Sequence, residues 1–82
     1  MLLVFPNPAT GPFTVRFPMP LAAPARVEFL DAAGRICWAR ELIEEGTSEV
    51  TIDPEGAALG SHLVRVTTSA GVHVMHIQIA GG

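Results

Sequence analysis

Short runs in which apolar and polar residues alternate, cut apart by Gly and Pro, constrain this chain more than any other feature. Phe13, Val15 and Phe17 alternate with Thr14 and Arg16, and Val27 and Phe29 alternate with Arg26 and Glu28. Val50 and Ile52 stand inward within Glu49 to Asp53. A period of two sorts side chains onto the two faces of a pleated strand, whereas a helix needs a period of 3.6. The apolar run Leu2 to Phe5, ended by Pro6, predicts a first strand. Arg35 to Leu42 predicts another with Ile36 and Trp38 on one face, followed later by His62 to Thr68 and Val72 to Ile79. In the last of these Val72 and Val74 have one parity, while Met75, Ile77 and Ile79 have the other. Either a β-bulge near Val74 and Met75 or a strand apolar on both faces reconciles them.

The punctuation agrees. Pro18 to Pro24 predicts a loop, because prolines cannot donate to a ladder. Asp31-Ala32-Ala33-Gly34 predicts a type I turn closed by a left-handed glycine, joining two strands as a tight hairpin. Ile43 to Ser48 predicts a loop or hairpin tip, and Pro54 to Gly60 a crossing loop with room for one helical turn. Ser69 to Gly71 predicts a turn. Seven short strands with turn signals every 8–12 residues or so predict an all-β antiparallel sandwich.

Composition narrows the function. The 82 residues suit one domain, 1–82, with one core. The net charge is −3, Lys is absent and the five basic residues are scattered arginines, so no cluster exists to neutralise phosphates and no nucleic-acid partner is expected. No run of about 18 apolar residues is available to span a membrane. The opening Met1-Leu2-Leu3-Val4-Phe5 lacks a basic start and a long apolar stretch, so it is not read as a signal peptide, and Met1 is read as a start grafted onto a fragment. One cysteine, Cys37, excludes an intrachain disulfide; between Ile36 and Trp38 it reads as a buried, inert thiol.

Catalytic and metal chemistry find little support. His73 and His76, three apart on one strand, face opposite ways, and His62 has no close partner in sequence for a metal site. Ser61-His62 lacks the turn that presents a nucleophile, and a sandwich this small is not expected to hold a deep pocket. Asp31, Asp53, Glu44, Glu45, Glu49 and Glu55 read as solvated turn and loop residues. Neither enzyme activity nor a cofactor is expected. Sugar binding needs exposed aromatic platforms, and with no Tyr and one Trp the only candidate is Trp38, which reads as a core residue between two sheets. The four Phe also read as core.

Three segments resemble the type A C-terminal sorting domain of the type IX secretion system. Val4-Phe5-Pro6-Asn7-Pro8-Ala9-Thr10-Gly11-Pro12-Phe13-Thr14-Val15 is similar to that family's opening: an aromatic, Pro-Asn-Pro, a small residue, a Gly and a strand. Val27 to Trp38 resembles its central hairpin, with Asp31 and Gly34 at the turn. Val50 to Val66 resembles its third block, with Ile52-Asp53, a loop carrying Leu59, and Gly60-Ser61-His62 where the family has Gly-x-Tyr. The resemblance implies an immunoglobulin-like sandwich at the C-terminus of a larger secreted protein from a Gram-negative bacterium. It implies partners: the outer-membrane type IX machinery, a sortase-like cysteine protease that removes the domain, and a covalently linked passenger upstream. It implies passage through the periplasm to the cell surface or outside, with no catalysis by the domain. The family's last strand is usually rich in Lys; here His73 to Gly82 has neither Lys nor Arg.

Physical roles can be assigned to the motif residues. Pro6 and Pro8 fix φ and remove two donors, ending the first strand. Asn7 is expected to close an Asx-turn onto the backbone two residues on. Gly11, Gly34 and Gly60 are expected to supply positive φ at corners. The recognition surface is expected on the last strand, at Val74, Met75, His76, Ile77, Gln78 and Ile79. The rival expectation is a fibronectin-like or carbohydrate-binding spacer module beside a secreted enzyme.

Overall fold

A computed structural model describes residues 2–22 and 24–81. The expectation for Met1, and the Ala23 position of the Pro18–Pro24 loop, lie outside the described residues. Seven strands follow in chain order: β1 (Leu3–Phe5), β2 (Phe13–Arg16), β3 (Ala25–Asp31), β4 (Ile36–Leu42), β5 (Glu49–Ile52), β6 (Gly60–Thr68) and β7 (Gly71–Ile79). They form two antiparallel sheets ordered β1-β2-β5 and β4-β3-β6-β7, with no helix among the described residues. This is the predicted immunoglobulin-like sandwich. The segments after β2, β4 and β5 each carry the chain from one sheet to the other, so Ile43 to Ser48 is a crossing loop and not a hairpin tip. Pro54 to Leu59 holds a turn, closed by the Ala57 N–H donating to the Pro54 carbonyl at 2.8 Å, with no helical turn.

The alternating residues meet between the sheets. Phe13, Val15, Val50 and Ile52 come from one side, and Val27, Phe29, Val64, Val66, Ile77 and Ile79 from the other, all buried. Removing such a side chain from water contributes about 1.5–3 kcal/mol. Phe13 meets Phe29 edge-on across the interface, with centroids 5.4 Å apart. Phe5 departs from its core expectation at 37% exposed, because β1 is an edge strand; the Arg16 guanidinium covers its ring at 4.8 Å.

The β3–β4 hairpin forms as predicted. Gly34 has φ +84° and donates to the Asp31 carbonyl at 3.0 Å, while Asp31 Oδ1 accepts the Ala33 and Arg35 N–H groups, each at 2.9 Å. Its register corrects the reading of β4. Phe29 faces Trp38 but Leu30 faces Ile36, so Cys37 is the extra residue of a bulge. The bulge turns Ile36 outward while Trp38 stays inward, so the two do not share a face. Cys37 is exposed and not buried, because β4 is an edge and its outward side chains meet solvent.

No bulge interrupts β7, whose register with β6 is unbroken from Gly60↔Ile79 to Thr68↔Gly71. The strand is instead apolar on both faces. Met75, Ile77 and Ile79 point inward, and Val72 and Val74 point outward at 58% and 51% exposed. Gly60 has the expected positive φ, +115°, but Gly11 does not.

Candidate functional site

The opening motif and the last strand meet directly. The Phe5–Pro6 and Asn7–Pro8 peptide bonds are both cis. Asn7 does not close a local Asx-turn. Its Nδ2 donates to the His76 carbonyl at 3.1 Å, and its Oδ1 accepts the Gln78 N–H at 2.9 Å. The Ala9 N–H, which a local turn would have used, donates to the Gln78 carbonyl at 2.8 Å, and the Ala80 N–H returns to the Ala9 carbonyl at 2.8 Å. A carboxamide carries one acceptor and one donor group in the arrangement of a peptide unit. Asn7 therefore extends the parallel bridge between Ala9 and Ile79 along the β7 edge. Pro6 and Pro8, which have no N–H, leave this side chain as the hydrogen-bonding group of the corner.

Strand parity divides the expected recognition residues. Ile77 and Ile79 lie in the core, and Met75 is half-buried against it. Gln78 is half-buried, with the Ser61 hydroxyl 3.4 Å from its Oε1. Val74 and His76 face outward and are exposed.

Side chains on that outer face align in rows across the sheet: Ile36, Leu30, Leu63 and His76; then Ala39, Glu28, Arg65 and Val74; then Glu41, Arg26, Thr67 and Val72. Leu30 is buried yet stands outside the main core, covered from its own face. Glu28 is only 5% exposed. It accepts from Arg65 Nε at 2.8 Å and lies 3.5 Å from Arg26 Nε, and Arg26 also reaches Glu41 at 2.7 Å. The hydrogen bond from Arg65 is the main cause holding the Glu28 carboxyl below the usual carboxylate range, against the opposing effect of burial. Sequence reading missed Glu28, because its partners become visible only once β3 and β6 are in register.

The histidines do not converge. His62 is buried in the core, stacked on Phe29 with centroids 4.9 Å apart, with Nδ1 3.0 Å from the Gly60 carbonyl and Nε2 unpartnered. His73 and His76 stand on opposite faces of β7, as their spacing predicts. Among the described residues no group of three or more His, Cys, Asp or Glu is placed to hold a metal.

Other motif residues serve turns. Asp53 Oδ1 accepts the Glu55 N–H at 3.0 Å, and Leu59 is exposed in the loop before Gly60. Trp38 is half-buried against the core and borders a cleft that also meets Asp31, Arg35 and Asp53. Arg35 Nε meets Asp31 Oδ2 at 2.9 Å there, and Asp53 holds its own turn.

A family model described as the secretion system C-terminal sorting domain matches residues 3–80. No curated protein matches the chain.

Proposed function

The chain belongs to the secretion system C-terminal sorting domain family, and on that premise we propose that residues 1–82 act as one non-catalytic unit read by the type IX machinery at the outer membrane. It is a type IX sorting tail, and such a tail sends the protein that carries it to the cell surface or the extracellular space. The passenger is joined upstream of β1, crosses the periplasm with the folded tail attached, and is freed when a sortase-like protease cuts the junction. One observation carries this reading: the family match runs along nearly the whole chain and includes the Pro6-Asn7-Pro8 corner. The geometry of that corner supports it. Asn7 and Ala9 bind the entrance of the sandwich to its last strand, so the fold stays closed up to the point where a passenger would attach.

The test is a reporter fused ahead of Met1 in a bacterium with type IX export. The reporter is expected on the surface or in the medium, released from the domain. A reporter that stays periplasmic, while a working sorting domain exports the same reporter, overturns the proposal.

A further inference from the structure

The edges of the two sheets differ in how they are protected. β1 is three residues long and runs into Pro6. β5 is short and carries Glu49, and β4 carries Arg40 and Glu41 and is bulged at Cys37. β7 has no Asp, Glu, Lys, Arg or Pro and no bulge along Gly71–Ile79. Charges, prolines, bulges and short length are what normally stop an edge from pairing with another chain.

Strand parity says which β7 groups are open. In an antiparallel ladder the N–H and C=O of one residue point to the same side. The Gln78 N–H and C=O and the His76 C=O point away from β6, where Asn7 and Ala9 engage them. By alternation the N–H and C=O of Val72 and Val74 point the same way, and beyond His76 Asn7 no longer covers them.

A half-open cavity lies beside this bare stretch. It measures about 280 Å³ and is lined by Leu2, Phe17, Met19, Leu21, Val66 and His73 among others, with no acidic residue, Lys or Arg in its wall. His73 stands between Val72 and Val74. A strand added to this edge would therefore place alternate side chains on the His73 side, over the cavity.

We propose that the domain is recognised by strand addition: an extended, uncharged segment of a partner protein pairs with Val72 and Val74 and sets an apolar side chain into the cavity beside His73. This rests on the sorting function above, whose machinery would supply the segment. Main-chain hydrogen bonds would give affinity, and the cavity would give side-chain preference. A second copy of the chain fits poorly. The open strip Gly71–Met75 is centred on His73, so two-fold pairing would set His73 against its own copy over an apolar cavity.

The probe is the capped peptide Thr-Val-Thr-Leu-Thr-Val-Thr, titrated into the full chain and followed by NMR. The expected result is that the Val72, Val74 and Met19 resonances shift and that the Val72 and Val74 amides gain protection from hydrogen exchange. Val74→Pro removes an outward N–H and none of the bonds to β6, and Met19→Asp charges the exposed rim of the cavity. Each is expected to keep the fold and to weaken peptide binding by about tenfold or more. In the reporter fusion, a folded Val74→Pro domain is expected to lose export that the unaltered domain supports. The inference is overturned if the peptide leaves Val72 and Val74 unmoved, or if both variants bind as before. It is equally overturned if the same shifts follow chain concentration without peptide, or if Val74→Pro exports normally. An unaltered fusion that fails to export counts against the sorting function instead, and the peptide result still decides the strand-addition question.

Discussion

From His76 to Ile79 the outer edge of β7 is closed by Asn7 and Ala9, and two inward side chains, Ile77 and Ile79, are buried. From Gly71 to Met75 the same strand has its neighbour on one side only, and Val72 and Val74 face solvent. Both halves pair with β6 without interruption. What separates them is the Asn7–Ala9 segment, more than sixty residues away in sequence. A single carboxamide between two prolines can stand in for a neighbouring strand, and it does so over a length that its reach sets. One half of β7 thereby serves folding, and the other is left available for contact.

The sharpest way to break this comparison is to truncate one residue in each half. Ile77→Ala is expected to cost about 2–4 kcal/mol in denaturant unfolding, since the side chain is wholly buried. Val74→Ala is expected to cost under about 0.5–1 kcal/mol, as an exposed position does. Similar losses at the two sites would abolish the distinction.

Asn7→Ala tests the closure itself. It leaves the Gln78 N–H and the His76 carbonyl without their partner, and about 1–3 kcal/mol of stability is expected to go. A smaller effect, within error of zero, would mean that water replaces the amide without loss.

Gly34→Val serves as a contrast at a distance from β7. A β-branched residue at φ +84° is strained, and a loss of about 1–2 kcal/mol is expected. The exchange pattern along β7 should not change, so an altered pattern would show that the two hairpins are coupled.

The smallest expected effect concerns acid. Folding lowers the Glu28 carboxyl below its ordinary value of 4.5, chiefly through the Arg65 hydrogen bond, and lowers Asp31 chiefly through the Arg35 backbone N–H. A carboxyl lowered on folding contributes stability that is full above its unfolded value and is lost as pH falls through its folded value. The melting midpoint should therefore hold steady with respect to these groups above about pH 5 and decline below about pH 4.5. Arg65→Met should reduce that decline. An unchanged slope would remove Glu28 as its source, and with it the account of the outer face beside Val74.

Much of the fold was legible because it is written locally. Alternation in Phe13 to Phe17 and Val27 to Phe29 specifies strands and their inward faces, and Asp31 to Gly34 specifies its own turn. The errors arise where the answer depends on which strands become neighbours. Parity read straight through Ile36, Cys37 and Trp38 fails because the hairpin inserts a bulge there. Phe5 looks like core until β1 proves to be an edge. Asn7 was read as a local turn residue because its partners, His76 and Gln78, are remote in sequence. Of the surface expected at Val74 to Ile79, alternation and the Asn7 closure give only part to solvent, because Ile77 and Ile79 point into the core. Glu28 gave no sign in the sequence, since a buried acid on an outward position needs arginines from neighbouring strands to cover it.

Amide hydrogen exchange along β7, measured on the unaltered chain and on Asn7→Ala, tests the two-halves account most directly. His73, Met75 and Ile77, which face β6, should exchange slowly in both proteins. Val72, Val74 and His76 should exchange fast in both, and Gln78 should be slow in the unaltered chain and fast once Asn7 is removed. Slow exchange at Val72 and Val74 in the monomer, or a Gln78 amide indifferent to Asn7, would contradict it.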